Sequence, residues 1–258
     1  LILALHERAL VARRADDGRL MWTQSLPMDD CGFILDRDDE RRRERRGAVL
    51  LSGDQTLVAM RSAGANAVNL FDAATGASRG RIAYSGTLVA CAVVGGRVVG
   101  VRHIREKVTV DVRSPQGEVL WSEELKAQVR EPRRIVTALD DARTMLMLAG
   151  DRVSALIDLG AKPAVRWQDT PEFGDWPAIT FLKDRIGVFA RRQNQQWMMH
   201  ILDAASGRIA ASVETQRRDR LEEGERPVIT GDRWVWLTDL RGDNRWVVVC
   251  RDLANPDK

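Results

Sequence analysis

Short apolar runs separated by turn residues recur along the whole chain. The clearest set lies between residues 87 and 124 and reads TLVACAVV, RVVGV, KVTVDV and EVLWSEE. Gly95 and Gly96 follow the first run, and the turn SPQG precedes the last. Runs rich in valine and isoleucine between such turns predict β-strands, and a Gly-Gly pair is typical of a two-residue hairpin turn. The pattern therefore predicts four antiparallel strands, labelled a to d in chain order.

The same four-strand unit repeats. The residues at the corresponding place in the c–d turns are Gly18, Gly76, Gly117, Lys162, Gly207 and Asn255. Successive spacings are 58, 41, 45, 45 and 48 residues, and a period of about 40–50 residues is typical of propeller blades. Many runs are apolar at consecutive positions, which favours sheets covered on both faces, as neighbouring blades cover one another.

These repeats predict an all-β fold class, namely a β-propeller of four-stranded antiparallel blades with about six visible repeats. We expect residues 1–258 to form a single propeller domain. Its first blade would lack the innermost strand, and its last blade would lack the outermost. A parent protein of seven or eight blades stays open, because a closed ring leaves no long free edges.

A tryptophan follows several of the c–d turns. Trp22 and Trp121 lie four residues after Gly18 and Gly117, and Trp167 ends strand d of the fourth unit. This Asp/Arg-x-x-x-Gly-x-x-x-Trp pattern resembles the tryptophan-docking repeat of the pyrroloquinoline-quinone-like β-propellers over nearly the whole chain. The resemblance implies that these three indoles pack against the next blade. With the preference for arginine over lysine, it also implies a bacterial source.

The docking pattern is incomplete. Gly80 and Ala211 stand at the tryptophan position of the second and fifth units. We expect the turn glycines to be structural, because glycine tolerates the positive φ of such turns; they are Gly18, Gly76, Gly117 and Gly207. The Trp-Asp repeat propellers are a rival, since NLFDAATG fits them too, but the Gly-His pair that usually precedes their strand a is absent from this sequence.

Catalytic motifs do not stand out. Quinone enzymes of the resembled family use acidic and amide metal ligands and an adjacent cysteine pair, whereas Cys31, Cys91 and Cys250 are isolated. The starts of the a strands offer no convergent carboxylates for a hard cation, and the three histidines are too scattered for a ligand pair. We therefore expect no enzyme, catalytic residue, metal or cofactor. The alternative is a small-ligand-sensing or enzymatic propeller that uses the central channel; a quinone-dependent dehydrogenase is disfavoured.

The net charge and the lengths of the apolar runs limit the kinds of partner that we expect. The net charge is only +3, and arginine supplies all but five of the 40 basic residues. Dispersed arginines give a weaker phosphate-tracking field than a clustered patch, so we expect no nucleic-acid partner. No apolar run approaches the roughly 18 residues that span a bilayer, so we expect a soluble protein without membrane insertion. The sequence leaves both a cytoplasmic and a periplasmic or other extracytoplasmic location open.

The connections from strand d to the next strand a vary most. They include a charged insert at residues 26–47, which contains DRDDERRRERR, and the segments KAQVREPRR, QDTPEFGDW and TQRRDRLEEGER. Equivalent propeller loops emerge on one face, and function concentrates on variable loops. Arginine suits interfaces because its planar guanidinium pairs with carboxylates. The predicted partner-binding residues are Arg37, Arg41, Arg42, Arg43, Arg133, Arg134, Trp176, Arg217 and Arg218.

These observations predict a non-catalytic binding scaffold, a sensor or adaptor module that mediates protein–protein interaction through its d–a loop face. The expected partner is another protein or another domain of the same parent chain. A solvated surface insert without a partner is the other interpretation of residues 36–46, because their six arginines nearly balance five acids. A degenerate repeat segment with a purely structural role is a third.

Overall fold

The computed structural model describes residues 1–6, 9–26, 49–51, 56–62, 66–130, 135–150, 152–169, 173, 175–182, 184–191, 197–214, 228–230, 233–240 and 245–252. In these residues, 22 strands form six antiparallel sheets, and helices do not occur. Each sheet pairs strands that follow one another in sequence. The predicted all-β fold class is therefore confirmed. We number the sheets as blades 1 to 6 in chain order.

The chain divides into two compact units, and unit 1 spans Leu1–Leu125. Blade 1 comprises β1 (Ile2–His6), β2 (Ala9–Arg13) and β3 (Leu20–Ser25). Blade 2 comprises β4 (Val49–Leu51), β5 (Leu57–Arg61), β6 (Ala67–Asp72) and β7 (Ser78–Ala83). Blade 3 comprises β8 (Thr87–Val94), β9 (Arg97–Ile104), β10 (Lys107–Arg113) and β11 (Val119–Gln128). Strand β11 thus runs from unit 1 into the first residues of unit 2.

Unit 2 spans Lys126–Lys258. Blade 4 comprises β12 (Val136–Leu139), β13 (Met145–Gly150), β14 (Val153–Asp158) and β15 (Ala164–Asp169). Blade 5 comprises β16 (Asp175–Phe181), β17 (Arg185–Arg191), β18 (Trp197–Asp203) and β19 (Ile209–Glu214). Blade 6 comprises β20 (Val228–Thr230), β21 (Arg233–Leu240) and β22 (Arg245–Asp252). Blades 1 and 6 have three strands each among the described residues, and the prediction that residues 1–258 form one domain stays a prediction.

A register shift recurs at one place in four blades, between the last two strands. It falls after Ala12 in blade 1, Leu70 in blade 2, Leu156 in blade 4 and Ile201 in blade 5. Such a bulge bends the strand and increases its twist. The residues paired just before the shift are Trp22, Gly80, Trp167 and Ala211. These four residues are therefore structurally equivalent, although the four-residue spacing from the turn glycine predicts only Trp22, Gly80 and Ala211.

The apolar cores lie between neighbouring sheets. Between blades 1 and 2 the buried cluster includes Leu10, Trp22, Met60 and Phe71. A second cluster joins blades 2 and 3, and a third joins blades 4 and 5. Strands of these blades are buried on both faces, which explains why their sequences are apolar at consecutive positions instead of alternating.

Candidate functional site

Most of the predicted partner-binding residues lie outside the described part of the chain. These residues are Arg37, Arg41, Arg42, Arg43, Arg133, Arg134, Arg217 and Arg218. Of the 26–47 insert, only Leu26 is described, and it is buried. Trp176 lies in strand β16. The d–a surface therefore stays a prediction, whereas the c–d turns and the junctions between blades are described in detail.

The c–d turn of blade 2 receives the indole of Trp22 from blade 1. The indole N–H of Trp22 donates to the carbonyl oxygen of Ala73 over 2.8 Å. A Cβ atom on Gly76 would lie 2.6 Å from Cδ2 of that indole, closer than real Cβ atoms approach. Gly76 also has a φ of +73°. Only glycine combines this left-handed conformation with the space that the ring needs.

The same arrangement occurs in unit 2, between blades 4 and 5. The indole N–H of Trp167 donates to the carbonyl oxygen of Ala204 over 3.0 Å. A Cβ atom on Gly207 would lie 2.5 Å from Cδ2 of the Trp167 ring, and Gly207 has a φ of +71°. Each indole therefore stacks on a turn glycine and binds the backbone three residues before it. Sequence alone does not indicate the carbonyl acceptor.

A carboxylate closes each of these two turns. Oδ1 of Asp72 accepts hydrogen bonds from the N–H groups of Ala74 and Thr75 and from the Thr75 hydroxyl. Oδ1 of Asp203 accepts from the N–H and hydroxyl of Ser206. The hydrogen bond from Arg79, supported by those of Thr75, lowers the pKa of Asp72 to about 2. The turns are therefore short, tied structures held by ionised side chains.

The remaining predicted docking residues have different surroundings. Gly18 has a φ of +70°, but no other described residue lies within 4 Å of the position of its Cβ. A Cβ on Gly117 would lie 3.9 Å from Cγ1 of Ile82, so an isoleucine approaches this turn instead of an indole. Trp121 lies in β11 and is half-buried. Its predicted role at the next blade stays a prediction.

Blade 3 contains a buried ionic cluster, which the sequence predictions missed. The carboxylate of Asp111, 0% exposed, accepts from Arg102 Nη2 at 3.0 Å, Ser122 Oγ at 2.7 Å and Arg113 Nη2 at 3.2 Å. Arg102 Nε also lies 2.6 Å from Oδ2 of Asp111. A charge between the valines of VTVDV is the sequence signal, because buried charges need partners.

Tyr84 joins this cluster to the connection that leaves blade 2. Its ring covers Gly100, where a Cβ atom would lie 2.5 Å from Cε1 of Tyr84. The Arg113 guanidinium stacks 4.6 Å from the ring centroid, in cation–π geometry. Arg102 also donates to Ser85 Oγ over 2.8 Å. Burial raises the pKa of Tyr84, so its phenol stays neutral. Together these contacts tie the blade 2 exit to the blade 3 sheet.

Ligand-like features are few in the described residues. A groove of about 400 Å³ lies at the turns of blades 1 and 2, lined by Met21, Ala73 and the Arg14–Asp16 ion pair, among others. No described group of three or more His, Cys, Asp or Glu side chains is placed to hold a metal. Burial raises the pKa of the Cys91 thiol to about 11. The described residues contain no helix with the length and apolarity needed to cross a membrane.

Comparisons with known proteins identify similar folds. No protein-family model matches the chain, and no curated protein matches it. A chain in the crystal structure of the mitotic checkpoint complex has a TM-score of 0.61 at 12% identity, over 95% of this chain and 69% of that one. Hydrazine synthase of Kuenenia stuttgartiensis has a TM-score of 0.54 at 15% identity, covering 79% and 62%. The WD40 domain of Toxoplasma gondii coronin has 0.50 at 10%, covering 77% and 55%.

Similarity at these identities shows the fold and nothing finer. The chain spans between 55% and 69% of the length of the three matched chains. WD40 domains are propellers of four-stranded blades, and the four-stranded antiparallel sheets described above agree with that architecture. The chain therefore has a β-propeller fold.

Proposed function

We propose that the chain is a non-catalytic β-propeller scaffold that binds another protein, or another domain of its parent chain, through its d–a connections. The contrast between two sets of loops carries the proposal. The c–d turns at Asp72 and Asp203 are short and closed by their own hydrogen bonds. The d–a connections differ in length and composition between repeats: those after blades 1, 3, 4 and 5 carry charged residues, whereas the one between blades 2 and 3 is the short segment YSG. Binding residues concentrate on such variable loops when a rigid framework carries them.

One similar structure adds support for this role. The matched chain with a TM-score of 0.61 belongs to a structure whose name describes a complex, the mitotic checkpoint complex. A propeller in such an assembly serves as a precedent for a protein-binding framework. Sensor or adaptor activity within a larger bacterial protein is the form of this role that we propose here.

We further propose that the chain belongs to the pyrroloquinoline-quinone-like propellers, in a branch without the cofactor. Support comes from the stacking of Trp22 on Gly76 and of Trp167 on Gly207, since indole docking on the next blade is what the resemblance implies. The Trp-Asp repeat alternative is disfavoured by the missing Gly-His pair.

A pull-down with matched charge reversals tests the scaffold role. The test variant changes four arginines of the insert to glutamate, namely Arg37, Arg41, Arg42 and Arg43. The control variant makes the same change at four exposed arginines elsewhere, namely Arg19, Arg81, Arg105 and Arg208. Captured proteins are identified and quantified by mass spectrometry after all three forms are shown to melt alike. We expect one protein to be retained by wild type and control and lost by the test variant.

Two other outcomes would contradict parts of this proposal. Equal recovery by all three forms would remove residues 36–46 from the interface. Recovery of no protein by any form would favour the alternative, a small-ligand or enzymatic propeller, for which the hydrazine synthase similarity is a precedent. Metal analysis and mass spectrometry of ligands released from the purified chain would then decide that alternative.

A further inference from the structure

Two side chains of blade 2 hold consecutive residues of blade 3 by their backbone. Nη1 of Arg61, the last residue of β5, donates to the carbonyl oxygen of Val89 over 2.7 Å. The side-chain oxygen of Asn66, which directly precedes β6, accepts from the N–H of Leu88 over 3.0 Å. Leu88 and Val89 are neighbours in β8, so both side chains are fixed against the same short segment.

A β-bulge frees this segment from the sheet. The pairing of β8 with β9 shifts between Leu88 and Ala90, which leaves Val89 without a partner in the ladder. Such bulges are frequent beside functional sites, because the extra residue disrupts the ladder locally and redirects its neighbours. Here the bulge gives Arg61 a backbone carbonyl group to bind across the junction of the two blades.

Arg61 differs from two other partly buried arginines in its charge partners. Arg102 and Arg113, at 12% and 16% side-chain exposure, both pair with the carboxylate of Asp111. Arg61 is also partly buried, and burial lowers its pKa, but its guanidinium has no carboxylate partner among the described residues. Since buried charges are normally paired, this guanidinium is placed to receive an anion.

The described surroundings of Arg61 supply no negative charge. Burial raises the pKa of the neighbouring Cys91 thiol to about 11, so this thiol is neutral at pH 7. Residues 63–65 read AGA and add no acid to the connection that follows Arg61. Val89, Ala90 and Cys91 are all partly exposed, so a short apolar stretch of β8 meets solvent here. One cation beside an apolar wall suits an anion with a single charge and a small apolar part.

Both side chains have donors left for such an anion. Arg61 uses Nη1 for the Val89 carbonyl, which leaves the edge formed by Nε and Nη2. The Asn66 oxygen is engaged by the N–H of Leu88, which leaves the N–H groups of its Nδ2. Because each side chain is already fixed at one atom, less conformational freedom is lost when a ligand binds.

We propose that Arg61 and Asn66 bind a carboxylate group at the junction of blades 2 and 3. The Nε–Nη2 edge of the guanidinium pairs with the two carboxylate oxygens, and the Asn66 amide donates to one of them. The aliphatic part of the ligand lies along Val89 and Ala90. The ligand is a monocarboxylate, and its source is either a free aliphatic acid or a glutamate side chain of a partner protein.

This site goes beyond the scaffold role proposed above and does not depend on it. It contains none of the arginines that the pull-down variant reverses. It lies between the second and third blades, which both belong to unit 1. Failure of the pull-down therefore leaves the carboxylate site standing, and failure of the titration below leaves the scaffold role standing.

NMR titration of the ¹⁵N-labelled full chain tests the site at pH 7 and constant ionic strength. Butyrate is the probe, butyramide is the neutral control of equal size, and inorganic phosphate is the anion control. We expect saturable shifts with butyrate at the amides of Leu88, Val89 and Ala90 and at the side-chain amide of Asn66. Butyramide and phosphate should bind about tenfold more weakly or less, because hydrogen bonds to a matching charged group are the strong ones.

A second probe identifies the source of the carboxylate. Glutamate capped as N-acetyl and N-methylamide presents the side chain as a partner protein would. Tighter binding of this compound than of butyrate would support the site and assign it to a partner side chain. Tighter binding of butyrate would support the site and assign it to a free acid.

Asn66→Asp separates ligand binding from structure. The aspartate oxygen still accepts from the N–H of Leu88, whereas the donor group is replaced by a negative charge that repels the ligand. We expect the fold to be retained and butyrate binding to be lost. Gln116→Glu is the control, because it makes the same charge change at an exposed residue of the SPQG turn.

Substitutions of Arg61 test the guanidinium itself. Arg61→Lys keeps the charge but loses the planar pair of donors, and we expect about tenfold weaker binding of butyrate. Arg61→Met should abolish binding. Arg81→Met is the matched control, because Arg81 is an exposed arginine of β7 in the same blade.

Four results would overturn the proposal. The first is the absence of shifts at Leu88 to Ala90 with both butyrate and capped glutamate. The second is butyramide binding as tightly as butyrate, and the third is phosphate binding more tightly than butyrate. The fourth is unchanged butyrate binding in both Asn66→Asp and Arg61→Met, which would place the ligand elsewhere on the chain.

Discussion

The two blade junctions of unit 1 are held together by different chemistry. Between blades 1 and 2, the Trp22 indole stacks on Gly76 and joins an apolar cluster with Met60 and Phe71. Between blades 2 and 3, Gly80 stands at the tryptophan position, and a Cβ atom on the turn glycine Gly117 would lie 3.9 Å from Cγ1 of Ile82, an ordinary contact distance. The second junction has Tyr84 and the buried ionic cluster around Asp111 in addition to its apolar residues.

A repeat protein can keep its blades packed even where one repeat has no docking tryptophan. A docking indole combines apolar burial with one backbone hydrogen bond, so a single residue joins two blades. Where it is lost, the second junction uses several side chains from the connection and the next sheet. Indole docking depends on the fit of one ring and one hydrogen bond, whereas the ionic cluster depends on several charged groups that must each have a partner. The two junctions should therefore respond differently to single substitutions.

The largest expected effect is that of Trp22→Ala. Trp22 is 8% exposed, and its removal leaves a cavity over Gly76 and an unpaired Ala73 carbonyl. We expect a loss of about 3–5 kcal/mol in the free energy of unfolding, measured by urea denaturation. Trp121→Ala is the comparison within unit 1, and since Trp121 is half-buried its cost should be smaller. Equal costs for both would contradict the special role of the occupied turn.

A smaller loss is expected for Asp111→Ala at the second junction. The change leaves the guanidinium groups of Arg102 and Arg113, 12% and 16% exposed, without their carboxylate. We expect about 3 kcal/mol, at the low end for a broken buried pair because both arginines retain some solvent. Tyr84→Phe is the control, because the Tyr84 hydroxyl has no hydrogen-bond partner among the described residues. It should change stability by well under 1 kcal/mol.

The sequence predicts much of this architecture, for identifiable reasons. Strands β8 to β11 are predicted by apolar runs that turns separate, among them Gly95–Gly96 and SPQG. The repeat spacing of the c–d turns predicts the propeller, which the sheets and the similar structures confirm. These signals are local, since each depends on residues a few positions apart.

The junction chemistry is harder to predict because it depends on contacts distant in sequence. Trp22 meets Ala73 across 51 residues, so spacing identifies the indole but not its acceptor. The cluster around Asp111 is signalled by one acid between valines. Arg113 lies only two residues away, but its second arginine, Arg102, comes from the neighbouring strand.

The smallest effect should be an acid sensitivity that the first junction of unit 1 has and the second lacks. Asp72 closes the turn that receives Trp22, and its pKa falls from 3.8 to about 2, chiefly through the hydrogen bond from Arg79. A carboxyl with a depressed folded pKa contributes stability above the unfolded pKa, and that stability is lost as the pH falls from about 4 to about 2. The equivalent turn of the second junction begins at Ser114, whose hydroxyl accepts from the Glu118 N–H and does not titrate.

Side-chain carboxyl NMR over this pH range measures the effect, with hydrogen exchange at the two turns as the structural readout. The protection factor, which corrects exchange for its intrinsic pH dependence, should fall at Gly76 as Asp72 protonates and stay constant at Gly117. Asp72→Asn should abolish the pH dependence at Gly76, because the amide retains an acceptor oxygen but carries no charge. A normal Asp72 pKa near 3.8 in the folded protein, or parallel exchange at both turns, would show that the first junction gains nothing from the charge.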